Sequence, residues 1–292
     1  MSLWIPFTLF AAFMQSWRNA FQNQLSKEVS TAGVTLARFI YASPLAGFYL
    51  WGLYQFDTPT PVHFSAQFGY LVLCASIMQI IATALMVKLF QLRNYAIGVG
   101  LAKSEAVIAA TLGALLFSAP LSPLAWFGVI IGAVAVWLMS NPSSLRQASL
   151  STLLLGLGSG LSFALTTLWV REASLTLQLP FPYSAAWVLL AVITTQTLLL
   201  TAWILVKEPR TLIDLWQRPK LTLAISLCSC LGSLGWFTAM SLETVALVKT
   251  LGQVEVLFTL MISARWFKEK LNTQDMLGLA FIVAGAVCVM LA

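Results

Sequence analysis

Two stretches of the chain set ionisable side chains inside apolar runs. Lys103 and Glu105 interrupt "VGLAKSEAVIAATLGALL" (99–116), and Lys249, Gln253 and Glu255 interrupt "VALVKTLGQVEVLFTLMIS" (245–263). At 1.5 Å per residue, Glu105 falls roughly 15 Å from the start of a helix beginning near Tyr95 and roughly 18 Å from its end near Phe117. That is the middle of a hydrocarbon layer, where an ionised side chain costs about 2.5–3.5 kcal/mol even on the lenient insertion scale. A lysine stem can carry its charge partway to the interface; a glutamate is too short. Lys103 and Glu105 are two residues apart and point to different sides of a helix, so they cannot pair with each other. Lys249 and Gln253, four apart, share a face, and Glu255 points away from it. Each charge needs a partner from another helix, or water. Arg38 and Arg18 add two cations, the second inside the polar cluster "QSWRNAFQNQ" (15–24). Arg18 fits a headgroup anchor as well as a cavity wall; Arg38 fits an ion pair with Glu105 as well as a ligand contact. Trp236 fits core packing, and also a cavity that receives an aromatic or cationic group.

Such a set can recognise the charged groups of a small molecule, and a midplane glutamate can carry a coupling proton. Enzyme chemistry has no foothold. The single histidine, His63, lies in a connection, and no HExxH, P-loop, GxSxG or dinucleotide turn is present. Cys74, Cys228, Cys230 and Cys288 lack zinc-ligand or redox spacing and read as small buried apolar residues. No cofactor or metal is implied.

The elements that must hold these residues follow from composition. Of 292 residues, 59% are hydrophobic and only 9% charged, against about 25% charged in soluble domains. The mean hydropathy is +0.87. This is an integral membrane protein. The net charge of +6 belongs to loop residues that set orientation, not to a nucleic-acid interface. The first apolar run lacks the positive flank of a signal peptide and should stay as a membrane helix. Runs of about 20 residues, long enough to span, fall near 4–24, 33–53, 68–89, 95–117, 122–140, 150–170, 184–206, 220–241, 245–265 and 273–291. "KEPRTLIDLWQRPK" (207–220) fits a short interfacial helix with Leu212, Leu215 and Trp216 on one face, or a polar loop. Most tryptophans, from Trp4 and Trp51 to Trp216 and Trp266, fall near helix ends as an interfacial belt. Gly156-x-x-x-Gly160 and the small residues of "SLCSCLGSLG" (226–235) point to close helix packing within the chain.

An offset of 150 residues aligns 71–128 with 221–278 without a gap. It places Glu105 on Glu255, Phe117 on Phe267 and Gly128 on Gly278. Five spans per half is an odd number, so the second half must be inverted relative to the first. The expected fold is an all-α integral membrane protein of ten transmembrane helices, arranged as two inverted five-helix repeats, 1–145 and 146–292. Nearly all Lys and Arg of the connections, from Lys27 and Lys88 to Lys268 and Lys270, lie on one side; only Arg171 lies on the other. The positive-inside rule then puts both termini outside.

The whole length, with "VALVKTLGQVEVLFTLMISARWFKEKLNTQDMLGLAFIVAGAV" (245–287) as its carrying stretch, resembles the drug/metabolite transporter superfamily, in its EamA-type ten-helix carriers. Glu255, Glu269, Gly278 and Gly285 occupy the places of that family's closing pattern, and Glu105, Gly128 and Gly132 those of the first half. Two features depart: Ala106 and Val256 stand where the family often has proline after the glutamate, and "FSAPLSP" (117–123) lacks an acidic residue. Many members are also expected to keep their termini inside, against the charge count. The resemblance implies a secondary carrier of small metabolites, usually an exporter in a bacterial inner membrane, working by alternating access and in some relatives coupled to protons.

The expectation is therefore a carrier of a small polar metabolite, amino-acid-like or otherwise zwitterionic or cationic. Its site residues are Glu105, Glu255, Lys103, Lys249, Gln253, Arg38, Arg18 and Trp236, and it works as monomer or homodimer. Two rivals stand beside it. An organic-phosphate or nucleotide-sugar antiporter would converge Arg18, Arg38, Lys103 and Lys249 on a phosphate. A non-transporting subunit or scaffold would bury its charges as closed ion pairs.

Overall fold

The computed structural model describes residues 2–56, 61–91, 102–116, 121–139, 150–266 and 273–291, and among these there is no strand. The helices are α1 (Trp4–Leu25), α2 (Thr31–Ala37), α3 (Ala42–Phe56), α4 (Ala66–Gln91), α5 (Glu105–Leu116), α6 (Pro123–Met139), α7 (Leu150–Thr176), α8 (Tyr183–Lys207), α9 (Arg210–Trp216), α10 (Pro219–Leu242), α11 (Val245–Leu251), α12 (Glu255–Trp266) and α13 (Thr273–Met290), with a 3₁₀ turn, Gly252–Val254, joining α11 to α12. Five runs are long and apolar enough to cross a membrane: Ala66–Gln91, Leu150–Thr176, Tyr183–Lys207, Pro219–Leu242 and Val245–Ile262. The start of the expected fourth span (95–101) and the junction of the two expected repeats (145/146) lie outside the described residues.

The outer surface carries Phe48, Trp51, Phe56, Leu198, Trp203 and Val206, all exposed. Apolar surface on that scale is tolerable only against lipid. The interior is correspondingly polar. On α1, Leu9, Phe10 and Phe13 face outward while Thr8, Ser16, Arg18, Asn19 and Gln22 are buried. This pattern is the reverse of a soluble amphipathic helix, and it marks an interior that must satisfy polar groups.

Three helix pairs form the frame: α1 against α10, α4 against α7, and α6 against α13. Small residues allow each close approach. A Cβ on Gly128 would lie 2.9 Å from Gly285 O, and one on Gly285 would lie 3.0 Å from Gly128 O. Backbones of α6 and α13 therefore touch at those two glycines. The serines of α10 and α7 serve in the same frame: Ser159 Oγ donates to Ala82 O at 2.9 Å.

Where the sequence suggests continuous spans, the chain breaks. The run expected at 33–53 splits into α2 and α3, with residues 38–41 in turns. Pro44, in the first turn of α3, supplies a reason: it has no N–H for the carbonyl four residues back. In hydrocarbon the freed backbone groups need partners, and α10 provides them. Ser226 Oγ donates to Ala37 O at 2.6 Å and accepts from Tyr41 N at 3.2 Å. From α8, Thr197 Oγ1 adds a bond to Phe39 O at 3.2 Å. A second break, at Lys103 and Ser104, precedes α5, and a third is the 3₁₀ turn before α12.

Three smaller expectations change. The sixth run extends to Thr176, so Arg171 is helical; it donates to Met240 O at 2.7 Å and to Glu243 O. A cation there satisfies carbonyls at the C-terminal end of α10 and complements its dipole. Trp4 is buried, not interfacial. The 7–8 connection does contain a short helix, α9, but Leu215 packs into the core while Trp216 is exposed.

Candidate functional site

All three breaks face one another. Arg38 follows α2, Lys103 and Glu105 flank the start of α5, and Gln253 and Glu255 sit at the join of α11 and α12. Glu105 and Glu255 are each the first residue of a helix, where backbone N–H groups and the dipole favour a carboxylate. Discontinuous helices with charged residues at their ends are how membrane transporters build midplane sites.

The charges pair across the two halves of the sequence. Lys103 Nζ contacts Glu255 Oε2 as hydrogen bond and salt bridge, and Lys249 Nζ lies 2.8 Å from Glu105 Oε1. Glu255 also accepts from Gln15 Nε2 at 2.5 Å and Asn19 Nδ2 at 2.7 Å. It is 1% exposed. Glu105 has less: its Oε1 makes no aligned hydrogen bond, so its contact with Lys249 is an ion pair with poor hydrogen-bond geometry. Lys249 Nζ also sits 4.3 Å from the centre of the Trp236 ring, and Trp236 Nε1 donates to Gln15 Oε1 at 2.9 Å. Arg18 holds Asn19 Oδ1 through Nη2 at 2.8 Å and Nε at 3.3 Å.

Arg38 stands apart. Its Nη1 donates to Thr83 Oγ1 at 2.7 Å, and Phe39 and Phe163 lie 5.4 and 5.9 Å from its guanidinium carbon. Its Nε has no partner. The expected ion pair with Glu105 is absent: the ion pairs among the described residues are Lys103–Glu255, Arg218–Glu28 and Lys249–Glu105. Arg18 is no headgroup anchor either, because it is 2% exposed and deep in the core.

A cavity of about 40 Å³ lies among these groups, lined by Arg18, Arg38, Lys103, Glu105, Trp236, Lys249 and Glu255 together with Gln15, Asn19, Gln79 and Phe163. A smaller one of about 10 Å³ adjoins it and takes in Gln253. Water needs at least ~10–15 Å³, so this conformation admits a few waters and no metabolite. Several unsatisfied buried polar atoms lie here or beside it: Arg38 Nε, Ser104 Oγ, Glu105 Oε1 and both amide atoms of Gln253. Such groups call for water, an ion or a ligand.

All eight residues expected from the sequence thus border this cavity pair. Sequence reasoning missed Gln15, Asn19, Gln79 and Thr83. A signal for the first two existed: Gln15, Arg18, Asn19 and Gln22 follow helical spacing along one face of α1. Gln79 and Thr83 carry no such mark in their run; they are single polar residues four apart.

Residues 150–291 match the family model of the EamA-like transporter family. That half of the chain belongs to the EamA-like transporter family. That family belongs to the drug/metabolite transporter superfamily, and the match points to a membrane transporter of that type. No curated protein matches the chain in sequence. A solved structure described only as "Crystal structure of protein" is similar to it with a TM-score of 0.68 and 12% identity, over 96% of this chain and 98% of its own. At that identity the likeness concerns fold alone. It nevertheless extends over both halves of the chain, including the first, which the family model does not cover.

Proposed function

We propose that the protein is a secondary carrier of a small polar, amino-acid-like metabolite, and that the central cavity is its transport site. The observation that carries this reading is the crossed pairing of Lys103 with Glu255 and of Lys249 with Glu105 at broken helices around one small cavity. Each pair joins one half of the chain to the other. A zwitterion can enter only by replacing such contacts with its own, so binding and the relative movement of the halves are coupled.

The architecture behind this is ten spans in two inverted repeats. The packing pattern supports it. Numbering spans by the sequence runs, one with eight (α1, α10) mirrors six with three (α7, α4). Five with ten, two with seven and four with nine are each their own mirror image. The loop charge supports both termini outside; export across a bacterial inner membrane is what the family resemblance implies. A proton carried by Glu105 would couple transport to the proton gradient; a rate flat in pH, unchanged by Glu105→Gln, rules that part out.

The scaffold reading has one observation in its favour, since the four paired charges are closed. Arg38 weighs against it, because a buried guanidinium with no directly paired carboxylate contributes nothing to a core made of closed ion pairs.

The test is uptake and counterflow in proteoliposomes over a panel of labelled amino acids, amines and phosphate esters. The wild type should exchange at least one zwitterion, and Glu105→Gln should slow that exchange about ten-fold or more, roughly the loss of one charge-assisted contact. A wild type that exchanges nothing in the panel while folded would count against the carrier.

A further inference from the structure

The described residues lining the cavity include four cations, Arg18, Arg38, Lys103 and Lys249, but only two carboxylates, Glu105 and Glu255. Lys103 and Lys249 are matched by those carboxylates. Arg18 is tied through Asn19 to Glu255, because Asn19 accepts from Arg18 and donates to the carboxylate. Arg38 has no such connection. It is 3% exposed, and its one side-chain acceptor is the neutral hydroxyl of Thr83.

A guanidinium kept from water without a directly paired carboxylate is costly; Glu105 acts on this one only from a distance, and Arg18 opposes it. The fold nonetheless fixes this one in place. The turn that carries it is pinned by Ser226 and Thr197. Phe39 and Phe163 lie beside its guanidinium. Thr83 holds Nη1, and Nε is left without an acceptor. Arginine presents paired donors along one edge in the spacing of a carboxylate or phosphate. The cavity opens onto this residue.

We propose that Arg38 docks an oxyanion group of the carried molecule, carboxylate or phosphate, so that the site accepts anions and zwitterions and refuses amines that lack an anionic group. The proposal rests on the carrier reading and adds a substrate class to it. In a zwitterion the carboxylate goes to Arg38 and the ammonium to Glu105, the carboxylate of the site with the fewest donors. The positive excess of the cavity is then neutralised in part by the cargo itself.

The experiment uses the full chain in detergent, with tryptophan emission as the readout because Trp236 lines the cavity. The probes are acetate, glycine, succinate, inorganic phosphate and glycerol phosphate, set against butylamine and tetramethylammonium at matched ionic strength. Saturable binding of at least one oxyanion is expected, with no response to the amines. Carboxylates alone would identify one source of the oxyanion and phosphates alone the other; either supports the proposal. Arg38→Gln should weaken that binding by about 30-fold or more, the loss expected when one partner of a buried charge pair is removed. Arg38→Lys should restore part of it, keeping the charge without the fork. If Arg38→Gln does not fold, Thr83→Val serves, with a several-fold loss from a guanidinium no longer held. Saturable amine binding that persists in these variants overturns the proposal. So does the absence of a saturable response to any oxyanion at high millimolar concentration. An oxyanion that binds at Arg38 but is never exchanged in proteoliposomes would instead break the carrier reading and leave the docking role standing. An amine that is exchanged regardless of Arg38 would do the reverse.

Discussion

Glu105 and Glu255 are the same residue at corresponding places in the two halves, and they live in different surroundings. Both open a helix after a break in the chain. Glu255 is met by Lys103, Gln15 and Asn19, so both of its oxygens are occupied. Glu105 is met by Lys249 alone, with one oxygen lacking an aligned hydrogen bond. The difference comes from α1. Gln15 and Asn19 lie against α12, and α1 packs along α11, the 3₁₀ turn and α12. Against α5 lies α7, which brings Gly160 to the turn: a Cβ there would lie 3.2 Å from Ala102 O. One half surrounds its glutamate with amides, and the other brings bare backbone close to it. Glu255 is thereby built to stay, while Glu105 is free to trade partners.

The largest test of this contrast is Glu255→Gln. It leaves the half-buried Lys103 ammonium without its carboxylate, and the amides of Gln15 and Asn19 without the charge they bind; breaking a buried pair from one side costs about 3–5 kcal/mol. Thermal unfolding in detergent should show it as the most damaging of the site substitutions. Adding Lys103→Met to it should recover part of the loss, since removing both charges is gentler than removing one. If Glu255→Gln proves milder than the equivalent change at Glu105, the assignment of a fixed and an exchangeable glutamate is wrong.

The break before Glu255 gives a second test. A Cβ on Gly252 would come within 2.8 Å of Trp236 Cζ3, so Gly252→Ala must push the indole off Gln15 and Lys249. Overpacking of this kind costs about 1–3 kcal/mol. Because the indole is part of the second half's lock, tryptophan emission should shift along with the melting point. A melting point and spectrum both unchanged would mean that Trp236 has room to spare and the lock is looser than its contacts indicate.

How much of this was legible in the sequence depends on the physics of each part. Buried charges in apolar runs are costly, so Lys103, Glu105, Lys249 and Glu255 stood out by type alone. Because i and i+2 diverge on a helix, the partners had to be on other elements. The crossed pairing was not legible, because it depends on which breaks face each other. Nor were the breaks at Lys103 and at Gly252–Val254: hydropathy sees apolar runs and not backbone turns. Pro44 did signal the break behind Arg38, but a proline inside a membrane run is also tolerated as a kink. Arg18 was ambiguous because its neighbours Gln15, Asn19 and Gln22 read equally as an interfacial cluster until their shared face was found buried.

The smallest stability effect is expected at Glu105→Gln, and it is the most telling. Lys249 would lose its carboxylate but keep the face of Trp236, and a desolvated cation–π contact is worth about 2 kcal/mol. The net cost should be about 1–2 kcal/mol, from one charge-assisted contact only partly replaced. Unfolding should therefore move by a few degrees while exchange falls about ten-fold or more. That split, small in stability and large in transport, is what an exchangeable glutamate predicts. A substitution that lowers stability as far as Glu255→Gln does would show that Glu105 is structural, and the two halves would then be alike after all.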